Sequence, residues 1–291
     1  MYERLIPAVI ETFAAPGESE RDFLIRLRDA DIRLRRNYAT SGPVTAEAYA
    51  EPILRAAYLF RYLGHYALQL GDLLRDLEGT AACTILAADC LKLAAFCGGP
   101  CPEAIALASL HQQAGGQLLQ ATVLDLHAQA WADCWPITSQ IIAHYPEHPR
   151  TEIDGITCNL FSLMARPGVQ RLLGSVQVIT CMNCLNELVG INSAGLKRSL
   201  QRYLSHLSPC TLVLATDQAG YPDCARGMSM LHDLLNESAA EFLLVEIDPA
   251  QPHQAENRFD VPERIAWIYS QANQNRFRIH VKQLRLAALI R

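Results

Sequence analysis

Between an apolar run, Leu91–Phe96, and a helix opened by Pro102, the chain places Cys97, Gly98, Gly99, Pro100 and Cys101. A turn of small residues ahead of a helix aims backbone amides and the positive end of the helix dipole at one point. That geometry suits a nucleotide or an amino-acid carboxylate, because no bulky side chain blocks its approach. Asp125 follows the next apolar run, Leu119–Leu124, and lies 26 residues beyond Gly99. In dinucleotide and nucleoside sites an acid at that place accepts hydrogen bonds from ribose hydroxyls. The plainer readings are an ordinary strand-to-helix turn and a solvated strand-end acid.

Other residues offer different chemistry. Cys97 and Cys101 follow one strand, and Cys181 and Cys184 follow another as Cys-x-x-Cys. Four converging thiolates would make a structural zinc or iron–sulfur site. The same residues also read as small buried hydrophobes or as a redox pair, and no metal is expected. His144-Tyr145-Pro146-Glu147-His148 matches an inverted zinc-peptidase pattern. Pro146 opposes the helix which that chemistry needs. Neither a Gly-x-Ser-x-Gly elbow nor a Gly-x-x-x-x-Gly-Lys-Ser/Thr loop is present. Tyr58, Tyr62 and Tyr66 share one helix face, as core packing or as the aromatic wall of a pocket. Arg26, Arg28, Arg33, Arg35 and Arg36 read as a solvated helix face, or as a contact for an anionic substrate or RNA.

The elements that position these residues fall into two zones. Residues 1–90 read as an N-terminal helical cap region, with helices over Asp22–Arg36 (ended at Ser41-Gly42-Pro43) and Pro52–Leu77. Residues 91–291 alternate short apolar runs with helical stretches. Strands are predicted at Leu91–Phe96, Leu119–Leu124, Gly155–Asn159, Val176–Thr180, Thr211–Thr216, Phe242–Ile247 and Phe277–Leu289. The alternating last run suits a late antiparallel strand. The expected fold is α/β: a doubly wound, seven-stranded, mostly parallel sheet with the helical region packed over its functional edge.

Composition narrows the partners. The 291 residues are 50% hydrophobic and 19% charged, with a formal net charge of −5. That balance disfavours general electrostatic binding to nucleic acid or anionic membrane. No apolar run reaches the roughly 18–20 residues of a membrane span, and no secretory signal is read at the start. The expected location is cytoplasmic, with the ten cysteines reduced.

The turn, Asp125 and the strand order together resemble the class I, Rossmann-like S-adenosylmethionine-dependent methyltransferases over residues 88–291. The resemblance implies S-adenosylmethionine as cofactor, held by Cys97, Gly98, Gly99, Pro100, Asp125, Asn159 and Asn183. Asn159 falls near the expected adenine. The stretch Cys181-Met-Asn183-Cys184-Leu-Asn186-Glu187 resembles the family's motif beside the transferred methyl. The expected activity is methyl transfer to a small or medium-sized acceptor, with no marked catalytic residue. His65, Tyr58, Tyr62 and Glu187 are the candidate bases. The first motif departs from the family, since Ala95, Cys97 and Cys101 stand where an acid and two glycines are usual. Glu103 is a candidate replacement for the missing acid. The alternative is a non-catalytic relative, a scaffold or binding protein that has lost its cofactor site.

Overall fold

The computed structural model describes residues 1–39, 49–144, 149–162, 166–258, 262 and 278–291. Two amphipathic helices, α1 (Tyr2–Phe13) and α2 (Glu20–Ala39), precede α3 (Pro52–Tyr58). A π-helical turn (Leu59–Leu63) joins α3 to α4 (Gly64–Arg75), so the predicted single helix carries one widened turn and ends two residues early. Leu5, Val9, Phe23, Leu27 and Phe60 bury their side chains together with Trp131, Ile137 and Ile141, which come from beyond the second strand. The N-terminal helices therefore share their core with the segment after Asp125. Ser41-Gly42-Pro43 lies outside the described residues.

After α5 (Ala82–Leu86) the chain alternates as β1 (Cys90–Phe96), α6 (Pro102–Gln113), β2 (Leu118–Asp125), α7 (Ala128–Trp131), α8 (Trp135–Ala143) and β3 (Arg150–Thr157). It continues as α9 (Pro167–Leu173), β4 (Val178–Met182), α10 (Leu185–Leu204), β5 (Leu212–Gln218) and α11 (Pro222–Glu237), then β6 (Glu241–Glu246), β7 (His253–Arg258) and β8 (Arg278–Leu289). The strand order is β3-β2-β1-β4-β5-β8-β6, with β7 also on β8. Strands β1 to β5 run parallel, and β8 lies antiparallel between β5 and β6. Along β1 the side chains alternate. Leu91, Leu93 and Ala95 face a layer containing α4 and α6, while Ala94 and Phe96 face one containing α10 and α11.

The doubly wound α/β fold is as the sequence implied, with eight strands among the described residues against the expected seven. The polar run His253–Arg258 has no apolar alternation, so only its partner β8 reveals β7 as a strand. β3 spans Arg150–Thr157 rather than Gly155–Asn159, because an edge strand needs few apolar residues and its polar first half still pairs with β2. Phe277, Trp267 and Tyr269 lie outside the described residues. Among those described, no helix is long and apolar enough to cross a membrane.

Candidate active site

β1 leads into the turn at Cys97, whose N–H donates to Leu124 O at 2.8 Å, and the Cys101 N–H returns to Gly98 O at 2.7 Å. Cys97 (φ 51°), Gly99 (φ 50°) and Cys101 (φ 61°) all adopt left-handed backbone. Two cysteines thus hold a conformation that glycine takes freely, at a cost of about 1–2 kcal/mol each. Gly98 is required by packing, since a Cβ there would lie 2.7 Å from the Cβ of Ala95. Three residues that sequence reasoning missed fix the turn from above. The Trp131 indole lies 3.5 Å from where a Gly99 Cβ would be. Trp135 Nε1 donates to Gly99 O at 3.0 Å, and Thr138 Oγ1 donates to Pro100 O at 2.7 Å. Gly98, Gly99, Pro100 and Cys101 are buried, so Cys97 is the open edge of the turn.

Asp125 faces that turn. Its Oδ2 accepts the Gly99 N–H at 3.3 Å and its Oδ1 the His127 N–H at 2.7 Å. Burial raises its pKa, and the amides of His127 and Gly99 oppose the rise. A carboxylate offers about four lone-pair sites, so these two bonds leave capacity for ligand hydroxyls. The Cys158 N–H donates to Asp125 O and anchors the end of β3 beside it. Asn159 follows, exposed, with Oδ1 accepting the Phe161 N–H at 2.9 Å.

Across β1 lies the end of β4. Asn183 (φ 51°) donates its N–H to Thr216 O at 2.8 Å. Its Nδ2 donates to Gln69 Oε1 at 2.8 Å, and Gln69 Nε2 lies 3.1 Å from His65 Nε2. Gln69, unremarked in the sequence, thereby connects the N-terminal helices to this loop. Burial, with Arg61 nearby, lowers the His65 pKa to about 4, so the imidazole is neutral and weakly basic. Burial lifts Tyr62 to about 12. Glu187, in the first turn of α10, is raised to about 7 by burial and then by the charges of Asp125 and Asp217. Glu103 is only 1% exposed and burial raises it to about 8. It is sealed under the turn, away from any ligand surface.

The thiols converge only in part. The Cys184 thiol donates to Phe96 O at 3.7 Å; the neighbouring Cys184 and then burial raise the Cys97 pKa, as the neighbouring Cys181 and burial raise that of Cys184. Cys101 instead packs with Leu93, Ala104 and Leu107 on the other face of the sheet. Among the described residues no group of three or more His, Cys, Asp or Glu is placed to hold a metal ion, and all ten cysteines are free thiols. His144 is exposed, and the remainder of its motif lies outside the described residues. Arg26, Arg28, Arg33 and Arg35 pair with Glu18, Asp29, Glu51 and Asp31. Tyr58 contacts Trp131 with ring centroids 5.0 Å apart, and Tyr62 stacks on Tyr66 at 5.4 Å. The tyrosine stripe is thus packed at one end against the indole that covers Gly99.

No protein-family model matches the sequence, and no curated protein does. Among solved structures, an O-methyltransferase family protein from Burkholderia thailandensis shares 12% identity, with a TM-score of 0.49 over 97% of this chain and 76% of that one. A putative SAM-dependent methyltransferase from Streptococcus mutans shares 12% identity, with a TM-score of 0.43 over 76% of this chain and 48% of that one. The N-methyltransferase NodS from Bradyrhizobium japonicum shares 10% identity, with a TM-score of 0.36 over 76% of this chain and 97% of that one.

Proposed function

We propose that the protein is an S-adenosylmethionine-dependent methyltransferase acting on a small or medium-sized acceptor. The observation that carries this reading is the contact of Asp125 with the Gly99 amide at the point where the sheet changes winding direction. From β1 the chain goes to β2 and β3 on one side, then to β4 and β5 on the other. Ligands of doubly wound sheets bind outside the strand ends at such a switch point.

The residues present fit the cofactor chemically. Asp125 keeps acceptor capacity for ribose hydroxyls, and Cys97 and Asn183 border the β1–β4 junction with small or polar side chains. Asn159 is exposed beside the end of β3. These four would hold the cofactor, while Gly98, Gly99 and Pro100 supply the backbone of the turn. When bound, S-adenosylmethionine supplies an electrophilic methyl group. The chain's share of the work is to orient the acceptor and exclude water. Of the candidate bases, Glu187 is the best matched, because a carboxyl titrating near 7 can take a proton at neutral pH. His65 at about 4 is too weak, and Tyr62 at about 12 keeps its own proton.

Isothermal titration with S-adenosylhomocysteine tests the reading. The intact protein should bind it, and Gly99→Arg and Asp125→Ala should each weaken binding while the fold persists. Absence of binding to the intact protein would overturn the assignment and favour the non-catalytic alternative.

A further inference from the structure

Three cysteines lie where β1 and β4 end side by side. Cys181 on β4 pairs with Phe96 on β1. Cys184, the residue before α10, holds its Sγ 3.7 Å from Phe96 O. Cys97 is the next residue after Phe96 and packs against the core cluster that contains Cys181 and Cys184. Of its neighbours, Cys184 acts most strongly on the Cys97 thiol. The three differ in access. Cys181 and Cys184 are buried, whereas Cys97 is half-buried at the open edge of the turn. An oxidant arriving from solvent therefore meets Cys97 first, with Cys184 beside it as the resolving thiol. The turn is placed to transmit the event, because Gly98 has no spare room on its Ala95 side and the Gly99 amide is held by Asp125 at 3.3 Å.

We propose that Cys97 and Cys184 are an oxidisable pair: a peroxide joins them in a disulfide, and this bond draws the turn toward β4 and weakens cofactor binding. The inference rests on the methyltransferase reading for the last clause only. In the first step Cys97 Sγ attacks one peroxide oxygen and the O–O bond breaks. Cys97 becomes a sulfenic acid, and its thiol proton leaves with the other oxygen as water. Cys184 Sγ then attacks the Cys97 sulfur. The S–O bond breaks, the departing hydroxide takes the Cys184 proton as a second water, and the S–S bond forms. The two thiols lose two electrons and the peroxide gains them. Neighbouring thiols and burial raise both pKa values, so neither sulfur is held as a thiolate. Such thiols react slowly, and a reduced pair without a stabilised thiolate yields a disulfide that resists mild reductants.

Hydrogen peroxide is the probe, added to the full chain carrying Cys83→Ser and Cys210→Ser, which removes the two exposed thiols. The protein should lose two titratable thiols, and digestion without reductant should yield one linked peptide pair, Cys97 with Cys184. Cys184→Ser and Cys184→Ala should each abolish the link, and saturating S-adenosylhomocysteine should slow its formation. The oxidised protein should bind S-adenosylhomocysteine at least about tenfold more weakly, and dithiothreitol should restore the affinity. In Cys184→Ser the loss should persist after dithiothreitol, because Cys97 without its resolving thiol passes to the irreversible sulfinic acid. A link between Cys181 and Cys184 instead, or no link at all, would overturn the pair. A Cys97–Cys184 link with unchanged affinity would overturn its effect on the site. If the link forms while the reduced protein binds no nucleoside, the pair stands and the methyltransferase reading fails.

Discussion

Asp125 holds Gly99: the carboxylate at the end of β2 accepts the amide of the turn after β1 across 3.3 Å. Its other oxygen takes the His127 amide, so one buried side chain ties together two loops. Replacing it with alanine orphans both amides. The expected loss is about 1–3 kcal/mol of stability, read as a lower denaturant midpoint, alongside the weakened nucleoside binding predicted above.

Cys97 and Cys101 invert a usual rule. Glycine normally destabilises relative to alanine, yet both positions have left-handed backbone. Each Cys→Gly variant should therefore be more stable than the matching Cys→Ala variant by about 1 kcal/mol. Equilibrium urea unfolding of the four proteins checks this, and alanine ranking above glycine at both sites would show that the left-handed geometry is not held in solution.

Gly155 makes room for an indole. A Cβ at this position of β3 would come within 2.3 Å of the Trp135 ring, which donates to Gly99 O. Gly155→Ala should displace the ring, cost about 1–3 kcal/mol and shift tryptophan emission. Unchanged emission and stability would mean that the ring is not fixed there.

Glu103 sets a pH dependence. Its folded pKa of about 8 lies above its ordinary value of 4.5, so the folded state retains a proton that the unfolded state releases. Stability from this group is complete below about 4.5 and declines as pH rises toward 8. Glu103→Gln keeps the shape without the ionisation, and its denaturation midpoints should fall less between pH 5 and pH 8 than those of the parent. Parallel curves would exclude the buried acid as the cause.

Gln69 is a structural link between distant parts of the chain. Gln69→Leu would leave Asn183 Nδ2 and the buried His65 without this partner, at about 1–3 kcal/mol. Thermal unfolding should register the loss, and hydrogen exchange should rise at the Asn183 loop if the link orders it.

The sequence exposed those parts of the fold whose cause is local. β4 and β5 are runs buried on both faces, β1 and β2 are largely apolar with a half-buried face at their starts, and Gly98-Gly99 before Pro102 marks its own turn. Tertiary causes stayed hidden. β7 is a strand because β8 offers it an edge, and Trp131, Trp135 and Thr138 act on the turn from more than 30 residues away. Cysteine at left-handed φ has no sequence signature, since propensity points the other way. Asn183 and Glu187 were legible as polar residues after an apolar run. The hydrogen bond that Asn183 gives Gln69 became visible only once α4 was seen packed beside the loop.

The placement of β8 has a kinetic consequence. β5 pairs along its full length with β8, Leu212 opposite Leu289 and Gln218 opposite Gln283, and β6 and β7 depend on the same strand. While a ribosome is still translating the stretch between them, β5 presents a bare hydrophobic rim with no native neighbour on that side. Newly made molecules should need shielding during this interval, and slowing elongation just upstream of β8 should increase the insoluble fraction.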